Sequence, residues 1–178
     1  TGGGKTLSSL RYALAHAAQW GKKRVIFVTP LLAVLEQNAK VVREYIGDDG
    51  VVLEHHSNVI RTEDTGNALD IRELAVENWH APVILTTMVQ LLNTFFSGKT
   101  TSVRRFQSLC DAVVVIDEVQ TVPNHMLTLF NLTVNFLSEI CRTTFLLCSA
   151  TQPCFEQADH PLVKKPVDVV PFEKKLWE

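Results

Sequence analysis

A chain of 178 residues suggests one domain, long enough to bury a substantial core. Hydrophobic residues make up 46 % and charged residues 20 %, which fits a soluble globular α/β protein, and no uninterrupted apolar run reaches the length of a membrane-spanning helix. The formal charge of −2 is close to neutral, so charge alone neither requires nor excludes nucleic acid, for which a local patch suffices.

The chain opens Thr1-Gly2-Gly3-Gly4-Lys5-Thr6. This is the back half of the phosphate-binding pattern G-x-x-x-x-G-K-[ST], whose first glycine would precede residue 1. Consecutive glycines let several backbone N–H groups converge on one anion, and the helix that follows adds its positive end. Lys5 can reach the β/γ-phosphates, and the Thr6 hydroxyl can hold Mg²⁺. The plainer reading of the same residues is a flexible glycine-rich terminus.

Residues 5–20 have helical spacing in Leu7, Leu10, Leu14 and Ala17, with Gly21 as a C-cap. Val25-Ile26-Phe27-Val28 predicts a buried strand ending at Thr29-Pro30. Leu31 to Ile46 predicts a helix stopped by Gly47, with Leu32, Leu35, Ala39, Val42 and Ile46 on one face. Val51-Val52-Leu53 predicts a short strand, residues 57–66 a polar loop, and residues 69–79 a helix. His55-His56 lacks a further ligand at metal spacing and reads as a strand end or loop. Val83-Ile84-Leu85 predicts a strand ending in Thr86-Thr87, followed by a helix over 89–96. Residues 97–102 read as a loop, and Phe106 and Leu109 suggest another short helix.

The next stretch is the centre of the chain. Val113-Val114-Val115-Ile116 runs straight into Asp117-Glu118-Val119-Gln120. A continuous β-branched run predicts a strand buried on both faces, as in a parallel sheet. Its carboxyl end is where open α/β sheets place their ligands. Two adjacent acids at that lip repel one another unless a cation or a water-activating role offsets the repulsion. Pro123 suits the first turn of a helix carrying Met126, Phe130, Val134, Leu137 and Cys141. Residues 144–148 predict a strand ending Ser149-Ala150-Thr151, and Pro153 opens a short helix. From His160 onward, prolines and Lys164-Lys165 and Lys174-Lys175 read as a linker. None of Cys110, Cys141, Cys148 and Cys154 forms a C-x-x-C pair, which disfavours a zinc knuckle, and Cys110, Cys141 and Cys148, in or beside apolar runs, read as small buried thiols in a reducing cytoplasm.

Strands alternating with helices predict a three-layer α/β domain around a mostly parallel sheet. The strand expected before the glycine loop is absent from the sequence. Thr29-Pro30 and Thr86-Thr87 are, taken singly, ordinary strand-to-helix turns. Their order along the chain gives them meaning. Thr1-Gly2-Gly3-Gly4-Lys5-Thr6, Thr29-Pro30, Thr86-Thr87, Asp117-Glu118-Val119-Gln120 and Ser149-Ala150-Thr151 resemble motifs I, Ia, Ic, II and III of superfamily 2 helicases. Within that superfamily, residues 83–93 with Val115 to Gln120 resemble the CRISPR-associated helicase–nuclease of type I interference systems.

The resemblance implies a RecA-like first motor domain over 1–159, truncated at its first strand, and a tail over 160–178 leading to a second motor domain. It implies ATP and Mg²⁺ as cofactors, with Gly2, Gly3, Gly4 and Lys5 on the phosphates and Thr6 and Asp117 on the metal. Glu118 would polarise the attacking water. Gln120, Ser149 and Thr151 would couple nucleotide to nucleic acid, Gln120 standing where DEAH-type motifs have histidine. Thr29, Pro30, Thr87 and Gln90 would lie beside the DNA backbone. Implied partners are single-stranded DNA, a second RecA-like domain, a nuclease domain and an RNA-guided surveillance complex, all in the cytoplasm and none of them a membrane. The second lobe's arginine finger and the nuclease's H-D pair are not in the sequence, so the isolated chain is expected to be inactive. Other superfamily 2 motors acting on DNA or RNA, a non-catalytic nucleotide-binding module and a P-loop kinase are the competing readings.

Overall fold

The computed structural model describes residues 4–56, 76, 78–149, 155, 158–167 and 169. Gly2, Gly3, Thr151, the polar stretch 57–66 and the helix expected at Pro153 lie outside these residues, as does most of the helix expected over 69–79. Helix α1 spans Gly4–Trp20, β1 Arg24–Thr29 and α2 Leu32–Ile46. A single 3₁₀ turn, Asp49–Val51, leads into β2, Val52–His55. Next come β3 (Val83–Thr87), α3 (Met88–Phe96), α4 (Thr100–Ser108) and β4 (Ala112–Ile116). Two 3₁₀ turns, Val119–Thr121 and Asn124–Met126, precede α5 (Leu127–Glu139), and β5 is Thr144–Leu147.

The five strands form one sheet in the order β2-β3-β1-β4-β5, and every pairing is parallel. Alternate residues of each strand face opposite layers. Val25, Phe27, Val113 and Val115 pack with Leu10 of α1 and Leu35, Ala39 and Val42 of α2. Ile26, Val28, Ile84, Val114 and Ile116 pack on the other side with Leu91 of α3 and Phe130 and Leu137 of α5. This double burial is why β1 and β4 read as unbroken apolar runs. All five residues of β4 are buried, whereas β5, at the sheet edge, is half-buried throughout.

Because the strands are parallel and in register, their carboxyl ends open onto one edge. Thr29 lies beside Thr87, Val28 beside Thr86 and Ile116, and Ile116 beside Leu147. Gly47, in the left-handed region at φ 72°, ends α2, and its N–H donates to the Arg43 carbonyl at 2.8 Å.

Three expectations need correction. Residues 97–102 are not wholly loop: α4 begins at Thr100, because the Lys99 carbonyl accepts from the Ser102 and Val103 N–H groups and closes the first turn. Pro123 does not begin the helix. It is extended and caps a 3₁₀ turn through Met126, and α5 starts only at Leu127. The strand expected at 51–53, β2, begins at Val52 and continues past Leu53 to His55, which is buried beside Trp79 with ring centroids 5.7 Å apart. Beyond β5, the Asn131 side-chain amide donates to the carbonyls of Phe155 and His160 at 3.1 and 2.9 Å. The Asn135 amide donates to the Pro161 carbonyl, and Lys164 pairs with Glu139 at 2.9 Å. The start of the stretch read as a linker therefore lies along one row of α5, at i, i+4 and i+8.

Candidate functional site

The acids of the central stretch are placed by the sheet itself. The Asp117 N–H donates to the Val28 carbonyl at 2.8 Å, carrying the β1–β4 ladder one bond past the strand. The Val119 N–H donates to the Cys148 carbonyl, tying the acidic turn to the end of β5. Between them Glu118 adopts φ 51° and ψ 52°. A side-chain-bearing residue in that left-handed region costs roughly 1–2 kcal/mol, and here the turn redirects the chain so that the carboxylate faces α1.

Across this turn stands Lys5 of α1. Its Nζ lies 3.0 Å from Glu118 Oε1 and 3.6 Å from Asp117 Oδ1. The hydrogen bond from Lys5 holds the Glu118 carboxyl below the usual carboxylate range, and a second bond from Gln120 adds to it. The same bond to Glu118 raises the Lys5 ammonium, against a smaller desolvation effect and with help from the Asp117 charge. Half the Lys5 side chain is exposed, so water screens the pair and its contribution to stability is small.

From Glu118 the contacts continue inward. Gln120 Nε2 donates to Glu118 Oε2, and Gln120 Oε1 accepts from the Ser149 hydroxyl at 2.7 Å. Lys5, Glu118, Gln120 and Ser149 thus form one hydrogen-bonded file from α1 across the ends of β4 and β5. A primary amide suits the middle position, since it donates at one end and accepts at the other.

Thr6 Oγ1 donates to Asn38 Oδ1 at 3.2 Å. Asn38 is a residue the motif reasoning missed. Its signal was in the sequence: Leu35, Asn38, Ala39 and Val42 are the buried stripe of α2, and one member of that stripe is an amide. Gly4 is the first residue of α1.

The positions expected beside nucleic acid divide. Pro30, Thr87 and Gln90 are half-buried at the carboxyl edge. The Thr87 hydroxyl caps α3 by accepting from the Gln90 N–H. Thr29 is fully buried and its hydroxyl donates to the Leu31 carbonyl, so it shapes the turn and presents no side-chain surface to a strand.

A cleft of about 350 Å³ lies at the opposite edge, lined by His16, Trp20, Lys22, Arg142 and Lys164 among others. Its cations are engaged: Lys22 donates to the Arg142 carbonyl, Arg142 pairs with Asp111 at 3.3 Å, and Lys164 pairs with Glu139. The carboxyl edge is the better candidate, because there the Lys5 cation and two carboxylates converge. Magnesium prefers hard oxygen donors and takes few from protein when phosphate and water supply the rest. The Thr6 hydroxyl and the Asp117 carboxylate are donors of that kind, and the residues present fit the ion.

Comparison with known proteins agrees with this geometry. The DEAD/DEAH box helicase family model matches residues 1–159. The chain is 25 % identical over 167 residues to the CRISPR-associated nuclease/helicase Cas3 of Methanothermobacter thermautotrophicus, covering 87 % of this chain and 19 % of that protein. It is 28 % identical over 147 residues to the protein of the same name from Haloferax volcanii, covering 80 % and 15 %. The chain thus spans less than a fifth of the length of these curated relatives. In fold it is similar to T. fusca Cas3 with AMPPNP, at a TM-score of 0.69 and 23 % identity over 85 % of this chain and 18 % of that one. It is also similar to the DUF1998 helicase MrfA bound to DNA and AMPPNP, at a TM-score of 0.52 and 23 % identity over 85 % and 21 %. The parallel five-stranded sheet with helices on both faces is the RecA-like arrangement these neighbours share. With its motifs in order, its acids and lysine facing each other at the strand ends, and the family model running over nearly all its length, the chain belongs to the DEAD/DEAH box helicase family.

Proposed function

We propose that this chain is the first motor lobe of an ATP-dependent DNA helicase or translocase of CRISPR interference, which binds ATP with Mg²⁺ and hydrolyses it to move along single-stranded DNA. The observation that carries the reading is the file Lys5–Glu118–Gln120–Ser149. It joins the phosphate-binding lysine, the general base and the end of the adjacent strand through direct hydrogen bonds.

In this account Gly2, Gly3, Gly4 and Lys5 hold the phosphates, and Thr6 and Asp117 hold the metal. Mg²⁺ held there would supply charge neutralisation for the phosphates. When Lys5 turns to the phosphates it leaves Glu118, and the carboxylate is then released to accept a proton from the attacking water. Gln120 stays bonded to Glu118 and registers that change. Ser149 receives it at the end of β5, and Thr151, two residues on in sequence, is assigned the same coupling role. Pro30, Thr87 and Gln90 border the DNA backbone, which such motors grip without reading bases. DNA is favoured over RNA because the MrfA neighbour is a DNA complex.

The parent protein would add a second RecA-like lobe with an arginine finger, a nuclease domain and contact with an RNA-guided surveillance complex in the cytoplasm. An arginine finger is worth a rate factor of ~10³–10⁵, so the isolated 178-residue chain should turn over ATP at trace rates and unwind nothing. The test is ATP turnover by the chain within its natural flanking sequence, with and without single-stranded DNA. Stimulation by DNA supports the reading. Turnover that ignores DNA, or robust unwinding by the 178 residues alone, counts against it.

A further inference from the structure

A hydroxyl group has one proton and two lone pairs. To ligate a cation it must aim a lone pair at the metal, and its proton then needs an acceptor elsewhere. The Thr6 proton has such an acceptor in Asn38 Oδ1, 3.2 Å away. Asn38 is 8 % exposed and sits within the apolar stripe of α2, between Leu35 and Ala39. An amide in that position is unfavourable unless it is hydrogen-bonded. Its Nδ2 is buried and finds no hydrogen-bond partner among the described residues. Among the described residues, the carbonyl half of the side chain is the half that is used, and it is used on Thr6.

We propose that Asn38 is a positioning residue for the divalent cation: it accepts the Thr6 proton and so turns the Thr6 lone pairs toward the metal that accompanies the nucleotide. The inference rests on the proposed function, in which Thr6 is a metal ligand, and extends it to a residue outside the helicase motifs. Asn38 itself touches neither nucleotide nor metal in this account. It acts by fixing the one protein hydroxyl in the coordination sphere.

The test is a Mn²⁺ titration followed by electron paramagnetic resonance, with a non-hydrolysable ATP analogue. It uses the chain within its natural flanking sequence, as wild type, Asn38→Leu, Asn38→Asp, Thr6→Val and the Thr6→Val/Asn38→Leu double variant. Residues that orient a metal ligand typically change affinity 10–100-fold, so Asn38→Leu should weaken Mn²⁺ binding about 10-fold or more. Metal-free binding of the analogue, which depends on Lys5, should stay unchanged. Asn38→Asp keeps an acceptor and cannot donate, and it should bind Mn²⁺ at least as tightly as wild type. In the Thr6→Val background Asn38→Leu should add no further loss, since the hydroxyl it serves is gone. Wild-type Mn²⁺ affinity in Asn38→Leu would overturn the proposal. Asp as weak as Leu would overturn it too, since the amide N–H would then be the active group, and so would an additive loss in the double variant. A thermal melt checks each variant, and Asn38→Ala replaces Asn38→Leu if the larger side chain overpacks the helix pair. Failure of the wild type to bind Mn²⁺ with the analogue would sink the proposed function itself. Normal wild-type binding with an insensitive Asn38 would sink only this inference.

Discussion

Lys5 Nζ sits 3.0 Å from Glu118 Oε1, so the cation we propose for phosphate and the carboxylate we propose as base neutralise each other across the strand ends. The pairing lowers the Glu118 carboxyl and raises the Lys5 ammonium. The stability it contributes is therefore present at neutral pH. It is lost as pH falls below the ordinary carboxylate range, and again as pH rises past the ordinary lysine range. Both side chains are substantially exposed, so Glu118→Gln should change unfolding stability by no more than about 1 kcal/mol. Urea unfolding of the two proteins at pH 7 checks this. A loss of several kcal/mol would mean that Glu118 serves the fold rather than the chemistry.

The Gln120 amide joins Glu118 to Ser149 side chain to side chain. Gln120→Ala should leave nucleotide affinity near wild type, because Lys5 is untouched. It should reduce the ratio of DNA-stimulated to basal turnover by roughly 5–150-fold, the range of ordinary coupling between sites. Paired turnover assays with and without single-stranded DNA measure that ratio directly. A variant stimulated as strongly as wild type would remove Gln120 from the coupling path.

His55 gives the fold a pH dependence remote from the acids. Burial, then Arg105 and His56, push its imidazole down to about 3 from an ordinary 6.5. The folded protein keeps His55 neutral while the unfolded chain takes up a proton below pH 6.5. Stability is thus complete above that value and declines as pH falls toward the folded value, at up to about 1.4 kcal/mol per pH unit. Denaturant melts at pH 7 and pH 5 should show the decline in wild type, and His55→Gln should flatten it by about 2 kcal/mol over that interval. Identical pH slopes in the two proteins would place the acid sensitivity elsewhere.

The strands were legible because each is an apolar run with a polar stop: Val25 to Val28 before Thr29, Val83 to Leu85 before Thr86, and Val113 to Ile116 before Asp117. Parallel pairing then forced Asp117, Glu118 and Ser149 to one edge. The first turn of α4 was hidden because Thr100, Thr101 and Ser102 follow Ser97-Gly98 and carry loop chemistry. Those hydroxyl residues equally suit a helix start once the Lys99 carbonyl closes the turn. Asn38 was hidden for a different reason: helicase motifs direct attention to strand ends, and this amide lies a full turn inside α2. Only its place in the stripe of Leu35, Ala39 and Val42 marks it. Burial of Thr29 was likewise unreadable, since a threonine at a strand end looks the same whether the turn leaves it open or closes over it.

The central claim is that Glu118 is the base of an ATP-driven motor whose nucleotide is held by other residues. The most direct measurement is steady-state ATP turnover with single-stranded DNA, alongside nucleotide affinity, for wild type and Glu118→Gln within the natural flanking sequence. A positioned general base typically contributes about 10²–10⁴-fold, so turnover should fall by that factor. Nucleotide affinity should persist, since Lys5 and Asp117 remain, and should rise if freeing Lys5 from its partner makes it more available. Turnover in Glu118→Gln within a few-fold of wild type would contradict the assignment.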